Sequence, residues 1–268
     1  MKPKVCVIRT AGTNCDRETR QAFEWAGADA EIIHMNSLMK GYDPFLEKKV
    51  SLDDYQILAI PGGFSNGDYI KSGAIFARDL EHFLGEQLES FVKSGKLVIG
   101  ICNGFQVLVK SGLLPGLDGR KQTTALTYND SLRYEDRWVK LTTPEKGTSC
   151  IWAEGIDRIE LPVAHGEGNF RASRELIDDL FKNRQVVFQY TNSTGKPTSS
   201  FPENPNASME AIAGICNPQG TVFGLMPHPE RYNHPMNHPL ATLQIHDGTI
   251  PDKGLGLKIF ENGVNYFK

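Results

Sequence analysis

The sequence predicts an α/β protein with a mostly parallel central sheet, flanking helices and an added antiparallel part. Two observations carry this. Over roughly the first 115 residues, short apolar runs alternate with helix-patterned stretches, as in successive βαβ units. After Leu114-Pro115-Gly116 the strand-like runs are separated mainly by turns, as in antiparallel strands. With 268 residues, 40% hydrophobic and 23% charged, the chain can bury a substantial core. No internal repeat or low-complexity linker divides it, so residues 1–268 are expected to form a single domain.

Taken in order, Val5–Arg9 reads as a short apolar strand. Arg17–Ala26 reads as a helix, with Asn14 or Asp16 near its cap and Gly27 as its stop. Ala30–His34 and Gln56–Ile60 are β-branched strands. Leu84–Lys93 has a helical pattern, and Lys96–Ile101 is a strand feeding a helix over Phe105–Leu114. In the second half, Trp138–Leu141, Asp157–Pro162, Gln185–Tyr190, Glu210–Cys216 and Thr221–Met226 are strand-like. Asn217-Pro218-Gln219-Gly220 is a hairpin turn between the last two. Thr191–Asn206, rich in Ser, Thr, Pro, Asn and Gly, reads as a surface loop, and Lys253–Phe267 as a closing helix.

Composition excludes several classes of function. A net charge of −3 gives no electrostatic reason to expect nucleic acid or an anionic membrane as a partner. No apolar stretch reaches bilayer length and no leader pattern is visible at the start, so a soluble, cytoplasmic protein is expected. Cys6, Cys15, Cys102, Cys150 and Cys216 are odd in number and irregularly spaced, which suits free thiols in a reducing compartment. There is no C-x-x-C, and Pro235 and Pro239 break up the His234 and His238 pair, so that stretch reads as a surface loop and no metal site is expected. Trp25, Trp138 and Trp152 read as core residues. Cys15 is left open between the rim of a site and packing near the first strand.

Three segments carry chemistry. In Lys96–Gln106 an apolar run ends in Gly100-Ile101-Cys102-Asn103-Gly104, the cysteine version of a nucleophile elbow. Such a turn brings backbones too close for a Cβ and sets Cys102 at a helix N-terminus, where the dipole favours thiolate. In Thr221–Glu230 an apolar strand ends in His228-Pro229-Glu230. Pro229 holds the intervening backbone extended, so His228 and Glu230 project to one side, and the carboxylate can fix the imidazole tautomer. In Ile57–Asp68 a strand ends in Pro61-Gly62-Gly63. There the Gly63 or Phe64 N–H, with the Asn103 N–H, could form a two-donor oxyanion hole. No phosphate-binding loop of the G-x-x-x-x-G-K-[ST] or G-x-G-x-x-G kind occurs.

Together, Pro61-Gly62-Gly63, Gly100–Gln106 and His228-Pro229-Glu230 resemble the class I (triad) glutamine amidotransferases. Gly12-Thr13-Asn14-Cys15-Asp16 and Ala164–Phe170 narrow the resemblance to the glutaminase subunit of phosphoribosylformylglycinamidine synthase. Pro61–Asp68 also follows that pattern, with Asn66 where an aromatic residue is expected. The resemblance spans nearly the whole chain, and the extra length near 38–54, 192–206 and 232–252 has no assigned role.

The resemblance implies a flavodoxin-like class I amidotransferase fold and a Cys102-His228-Glu230 triad that hydrolyses glutamine. Gly63 or Phe64 and Asn103 would hold the oxyanion, and Gln106, His165 and Glu167 are candidates for binding glutamine. Glu167 is the natural partner of the substrate ammonium, or else an exposed loop acid. No cofactor is implied in this chain. ATP and Mg would be used by a large synthetase subunit, with a small accessory subunit in the same complex, to convert formylglycinamide ribonucleotide to its amidine in purine biosynthesis. Two other readings remain: a γ-glutamyl hydrolase of the same fold, and a non-catalytic regulatory subunit.

Overall fold

The computed structural model describes residues 2–116 and 121–268. The chain opens with β1 (Lys4–Arg9), α1 (Asp16–Trp25), β2 (Asp29–His34) and α2 (Met35–Lys40). A small hairpin, β3 (Tyr42–Asp43) and β4 (Lys48–Lys49), precedes β5 (Ile57–Ile60). Next come α3 (Ala74–Lys93), β6 (Leu97–Ile101) and α4 (Asn103–Lys110). The second half holds β7 (Ala125–Thr127), β8 (Glu135–Thr142), β9 (Arg158–His165), β10 (Asn169–Arg171), α5 (Arg174–Lys182) and β11 (Val186–Tyr190). It ends with β12 (Ile212–Cys216), β13 (Val222–Leu225), α6 (Ala241–His246) and α7 (Leu257–Asn265).

Nine strands form one sheet in the order β2-β1-β5-β6-β13-β12-β11-β8-β9. From β2 to β13 every pairing is parallel; from β13 to β9 every pairing is antiparallel. Thus β13, which leads to His228, joins the two halves and lies beside β6, which leads to Cys102. β5 and β6 are buried at every position, which is why they read as unbroken apolar runs. α3 buries Phe76, Ala77, Leu80, Leu84, Leu88 and Phe91, a stripe at three- and four-residue spacing. α7 is fastened by Asn262, whose side-chain amide donates to the carbonyls of Trp152 and Glu154, and by an edge-on Phe23–Phe260 contact at 4.9 Å.

Several local expectations are corrected. α3 starts ten residues earlier than its sequence pattern suggests, because left-handed Gly73 caps it directly after the loop. α4 starts at Asn103 and stops at Lys110, and the residues after it form turns. α5 has no counterpart in the sequence reading: only Ile177 and Leu180 are buried, too thin an apolar stripe to show, although Ser173 caps it. Trp25 is 48% exposed at the end of α1, so it is not a core residue. His238 is buried against Trp138 and Tyr232, with ring centroids 4.6 and 5.5 Å away, so it does not sit in a solvated loop. No described helix is long and apolar enough to cross a membrane.

Candidate active site

Cys102 sits between β6 and α4 with φ 51° and ψ −104°, a strained backbone for a residue other than glycine. Its N–H is held by the Leu225 carbonyl at 2.8 Å, so the sheet itself fixes the elbow. Gly104 makes the tight turn possible: a Cβ there would lie 1.9 Å from the Ile60 carbonyl oxygen of β5. The Cys102 thiol is nearly buried and donates to the Ala164 carbonyl at 3.7 Å. The first N–H groups of α4 have no intrahelical acceptor, and that of Asn103, next to Cys102, has no acceptor among the described residues.

His228 Nδ1 and Glu230 Oε1 lie 2.6 Å apart, and both side chains are buried. The geometry that brings them together differs from the extended segment expected. Pro229 is the first residue of a 3-10 turn over Pro229–Arg231, a position that suits its fixed φ and missing N–H. The His228 N–H is anchored to the Pro162 carbonyl at 2.8 Å. Burial opposes charge on the imidazole, but the Glu230 carboxylate and the Cys102 and Cys15 thiols outweigh it and raise its pKa well above 6.5. Nε2 has no hydrogen bond of normal geometry among the described residues, which leaves it free to exchange protons.

For the oxyanion loop the structure separates two candidates. The Phe64 N–H is engaged with the Gly12 carbonyl at 2.9 Å, whereas the Gly63 N–H has no acceptor among the described residues. Gly63 is therefore the donor left available on this side. The loop is tied to the nucleophile by the Asn103 side chain: Oδ1 accepts the Ser65 N–H at 3.3 Å, and Nδ2 donates to Asp68 at 3.2 Å. Asn66, Gly67 and Asp68 all have left-handed backbones. Burial raises the Asp68 pKa above the ordinary carboxylate value, although Gly73, Ser72 and Asn103 donate to it.

The candidate glutamine-binding residues fall into two groups. Gln106 is buried, with Oε1 accepting from Asn103 at 3.0 Å and Nε2 donating to the Glu167 carbonyl at 2.6 Å. His165 is buried too; Nδ1 meets Asn129 Oδ1 at 3.1 Å and Nε2 faces Asn206 at 3.5 Å. Burial, then the charge of His228, push its pKa down to about 3, so it stays neutral. Both side chains are thus engaged with neighbouring protein groups. The Glu167 carboxylate is half-buried and interacts favourably with Lys110.

The sequence reading left Cys15 open and missed Arg231 and Tyr134. Cys15 lies beside His228 and Glu230: Arg231 Nη2 donates to its sulfur at 3.2 Å while Arg231 Nε holds Glu18 at 3.0 Å. Burial pushes the Cys15 thiol up to about 11, which keeps it neutral. A Cβ at Gly62 would lie 2.7 Å from His228 Cε1 and 3.2 Å from Cys15 Sγ, so only glycine lets these groups meet. Cys15, His228 and Glu230 bring donor atoms within 4.8 Å of one another, a spacing that a metal could use. The Arg231 guanidinium beside Cys15 and the closed His228–Glu230 hydrogen bond oppose a cation there. Tyr134 donates to the Ala164 carbonyl at 2.9 Å, the same oxygen that receives the Cys102 thiol, and its ring faces Phe64 at 6.3 Å across the mouth. These contacts span many residues of sequence, and no local pattern announces them.

A parallel sheet extended by antiparallel strands, with a cysteine elbow and a buried His-Glu pair on adjacent strand ends, is the architecture of a triad glutamine amidotransferase. The family model for the CobB/CobQ-like glutamine amidotransferase domain matches residues 2–267, and the chain belongs to this family. It is 45% identical over 267 residues to the phosphoribosylformylglycinamidine synthase subunit PurQ of Dehalococcoides mccartyi, covering 99% of this chain and 98% of that one. It is 44% identical over 276 residues to the subunit of the same name in Archaeoglobus fulgidus, covering 99% and 97%. Among solved structures, PurLQS from Thermotoga maritima matches with a TM-score of 0.73 and 31% identity over 100% of both chains. A Thermotoga maritima glutamine amidotransferase at 16% identity, covering 100% of this chain and 98% of that one, shares the fold with a TM-score of 0.54.

Proposed function

We propose that this chain is the glutaminase subunit of a phosphoribosylformylglycinamidine synthase, and that Cys102, His228 and Glu230 are its triad. The observation that carries the reading is the buried 2.6 Å His228–Glu230 pair beside a strained cysteine elbow, in a chain of the amidotransferase family. The Cys102 thiolate attacks the side-chain carboxamide carbon of glutamine. The Gly63 and Asn103 N–H groups receive the negative oxygen; loss of one such donor costs about 3 kcal/mol of barrier. His228, as imidazolium held by Glu230, gives its proton to the departing nitrogen, and ammonia leaves. The neutral ring then takes a proton from water as that water attacks the thioester, releasing glutamate and free thiol. Glu167 is proposed to hold the substrate ammonium.

Ammonia then passes to a large synthetase subunit, with a small accessory subunit in the same assembly, as the relative named PurLQS suggests. ATP and Mg chemistry belongs to that partner, which fits a chain without a phosphate-binding loop motif. Five free cysteines support a cytoplasmic setting.

The test uses the assembled complex with Cys102→Ala. Glutamine-dependent synthesis should vanish while synthesis from added ammonium salts continues at the wild-type rate. Equal loss of both activities would overturn the role of Cys102 as an ammonia-generating nucleophile.

A further inference from the structure

The β8–β9 ladder runs from Glu135 opposite His165, beside the nucleophile, to Thr142 opposite Arg158 at its other end. At about 3.4 Å per residue, that far end lies roughly 24 Å along the strands from the triad. A cavity of about 580 Å3 opens there, within the range that small-molecule sites occupy. Its floor is apolar, formed by half-buried Phe181 and Pro144 above the fully buried Val186. Its rim is cationic: Lys146, Arg158, Arg184 and Lys196 line it, with Glu145 as the single acid among the lining residues. Among the described residues none of these four cations makes an ion pair, whereas Arg9, Lys48, Arg137, Arg174 and Lys253 each meet a carboxylate. A concentrated positive rim of this kind is unexpected on a chain of net charge −3.

Two walls are built from specific contacts. Segment 192–206, whose extra length had no assigned role, supplies the first. Asn192 Oδ1 accepts from the N–H groups of Thr194 at 3.0 Å and Lys196 at 3.1 Å, and from the Thr194 hydroxyl at 2.7 Å. This turn, closed by a bridge between Thr191 and Pro197, lays Gly195 against the Arg158 guanidinium. In the second wall, Ser149 donates from its N–H at 2.9 Å and its hydroxyl at 3.2 Å to the Arg184 carbonyl, and Thr148 from its hydroxyl at 3.1 Å. These donors hold the left-handed backbone of Arg184 (φ 58°) beside the Lys146 loop.

We propose that this cavity binds a small phosphorylated metabolite of nucleoside monophosphate size, with its phosphate on the Arg158–Arg184 rim and its flat apolar part over Phe181 and Pro144. Two guanidinium forks offer paired donors to phosphate oxygens, and the lysines add point charge. The apolar floor gives a base a surface that inorganic phosphate would not need. The site is concave and local, unlike the extended basic face that a nucleic acid requires. It is independent of the glutaminase reading, because its readout is binding and not turnover.

The test is calorimetric titration of the whole chain with adenosine 5′-monophosphate, adenosine and inorganic phosphate at low salt. The monophosphate should bind, with adenosine and phosphate each weaker by about tenfold or more. Arg158→Ala combined with Arg184→Ala should weaken the monophosphate by more than about tenfold, with glutamine hydrolysis unchanged. If that double variant unfolds, Lys196→Glu on the exposed loop carries the test, with a weakening in the same direction expected. No binding of the monophosphate at millimolar concentration, equal binding by phosphate alone, or unchanged binding by a folded double variant or by Lys196→Glu would overturn the proposal.

Discussion

At the scale of single residues, the proposed proton chemistry rests on one buried pair. The pKa of His228 is held above the ordinary histidine value of 6.5 by Glu230 and the neighbouring thiols, against the penalty of burial. Because the folded-state value lies above the unfolded one, the pair stabilises the fold fully below pH 6.5, and that contribution is lost as pH rises through the folded value. Glu230→Gln removes the largest raising influence. The His228 ring resonance, followed by NMR, should therefore titrate well above 6.5 in the native protein and at lower pH in the variant. Glutaminase activity should fall with it, though less than the roughly thousandfold loss expected of His228→Ala, since only the ring moves protons. An unshifted titration would remove Glu230 from the pair.

At the scale of elements, the Asn103 side chain is the join between the nucleophile helix and the oxyanion loop. It accepts from Ser65 and donates to Gln106 within a buried network, and donates to half-buried Asp68 at its edge. Asn103→Ala keeps the backbone N–H but strands the Ser65 N–H and the Gln106 oxygen, at a cost of about 1–3 kcal/mol. Glutaminase kcat is expected to fall about tenfold or more, with a lower urea midpoint; an unchanged kcat would show that the loop holds its place without this strut. The elbow and the strands around it were legible in the sequence, because close backbone approach demands glycines at set spacing and buried parallel strands read as apolar runs. The His228–Glu230 pairing was legible too, but not its geometry, since a proline permits either an extended segment or the first position of a turn. Phe64 and Gly63 could not be separated, because the bond that occupies the Phe64 N–H comes from Gly12, some fifty residues away. Cys15, Tyr134 and the buried posts of His165 and Gln106 depend on similar long-range contacts.

For the whole molecule, the loop that bears Gly63 leads directly into exposed apolar side chains. Tyr69 is 89% and Ile70 74% exposed, directly after the left-handed Asn66–Asp68 stretch that follows Phe64. A partner that covers these side chains acts on the loop bearing the Gly63 donor. The isolated chain should therefore hydrolyse glutamine slowly, and the synthetase with its substrates should raise the rate by roughly tenfold or more. Steady-state glutaminase assays with and without the partner decide it; a lone chain that already runs at the complex's rate contradicts the coupling.

The placement of Cys102 between β6 and β13 also gives the site two clocks. The amide hydrogen of the nucleophile is sealed into the middle of a nine-stranded sheet by Leu225, so it should exchange with deuterium only when the sheet opens. The Gly63 amide, without an acceptor among the described residues, should exchange many orders of magnitude sooner. Residue-resolved hydrogen exchange would show both rates in one experiment, and similar protection at the two amides would contradict this division. One wall of the catalytic cleft then lasts as long as the fold itself, while the other is renewed continually, and it is on the second that a partner can act without the protein coming apart.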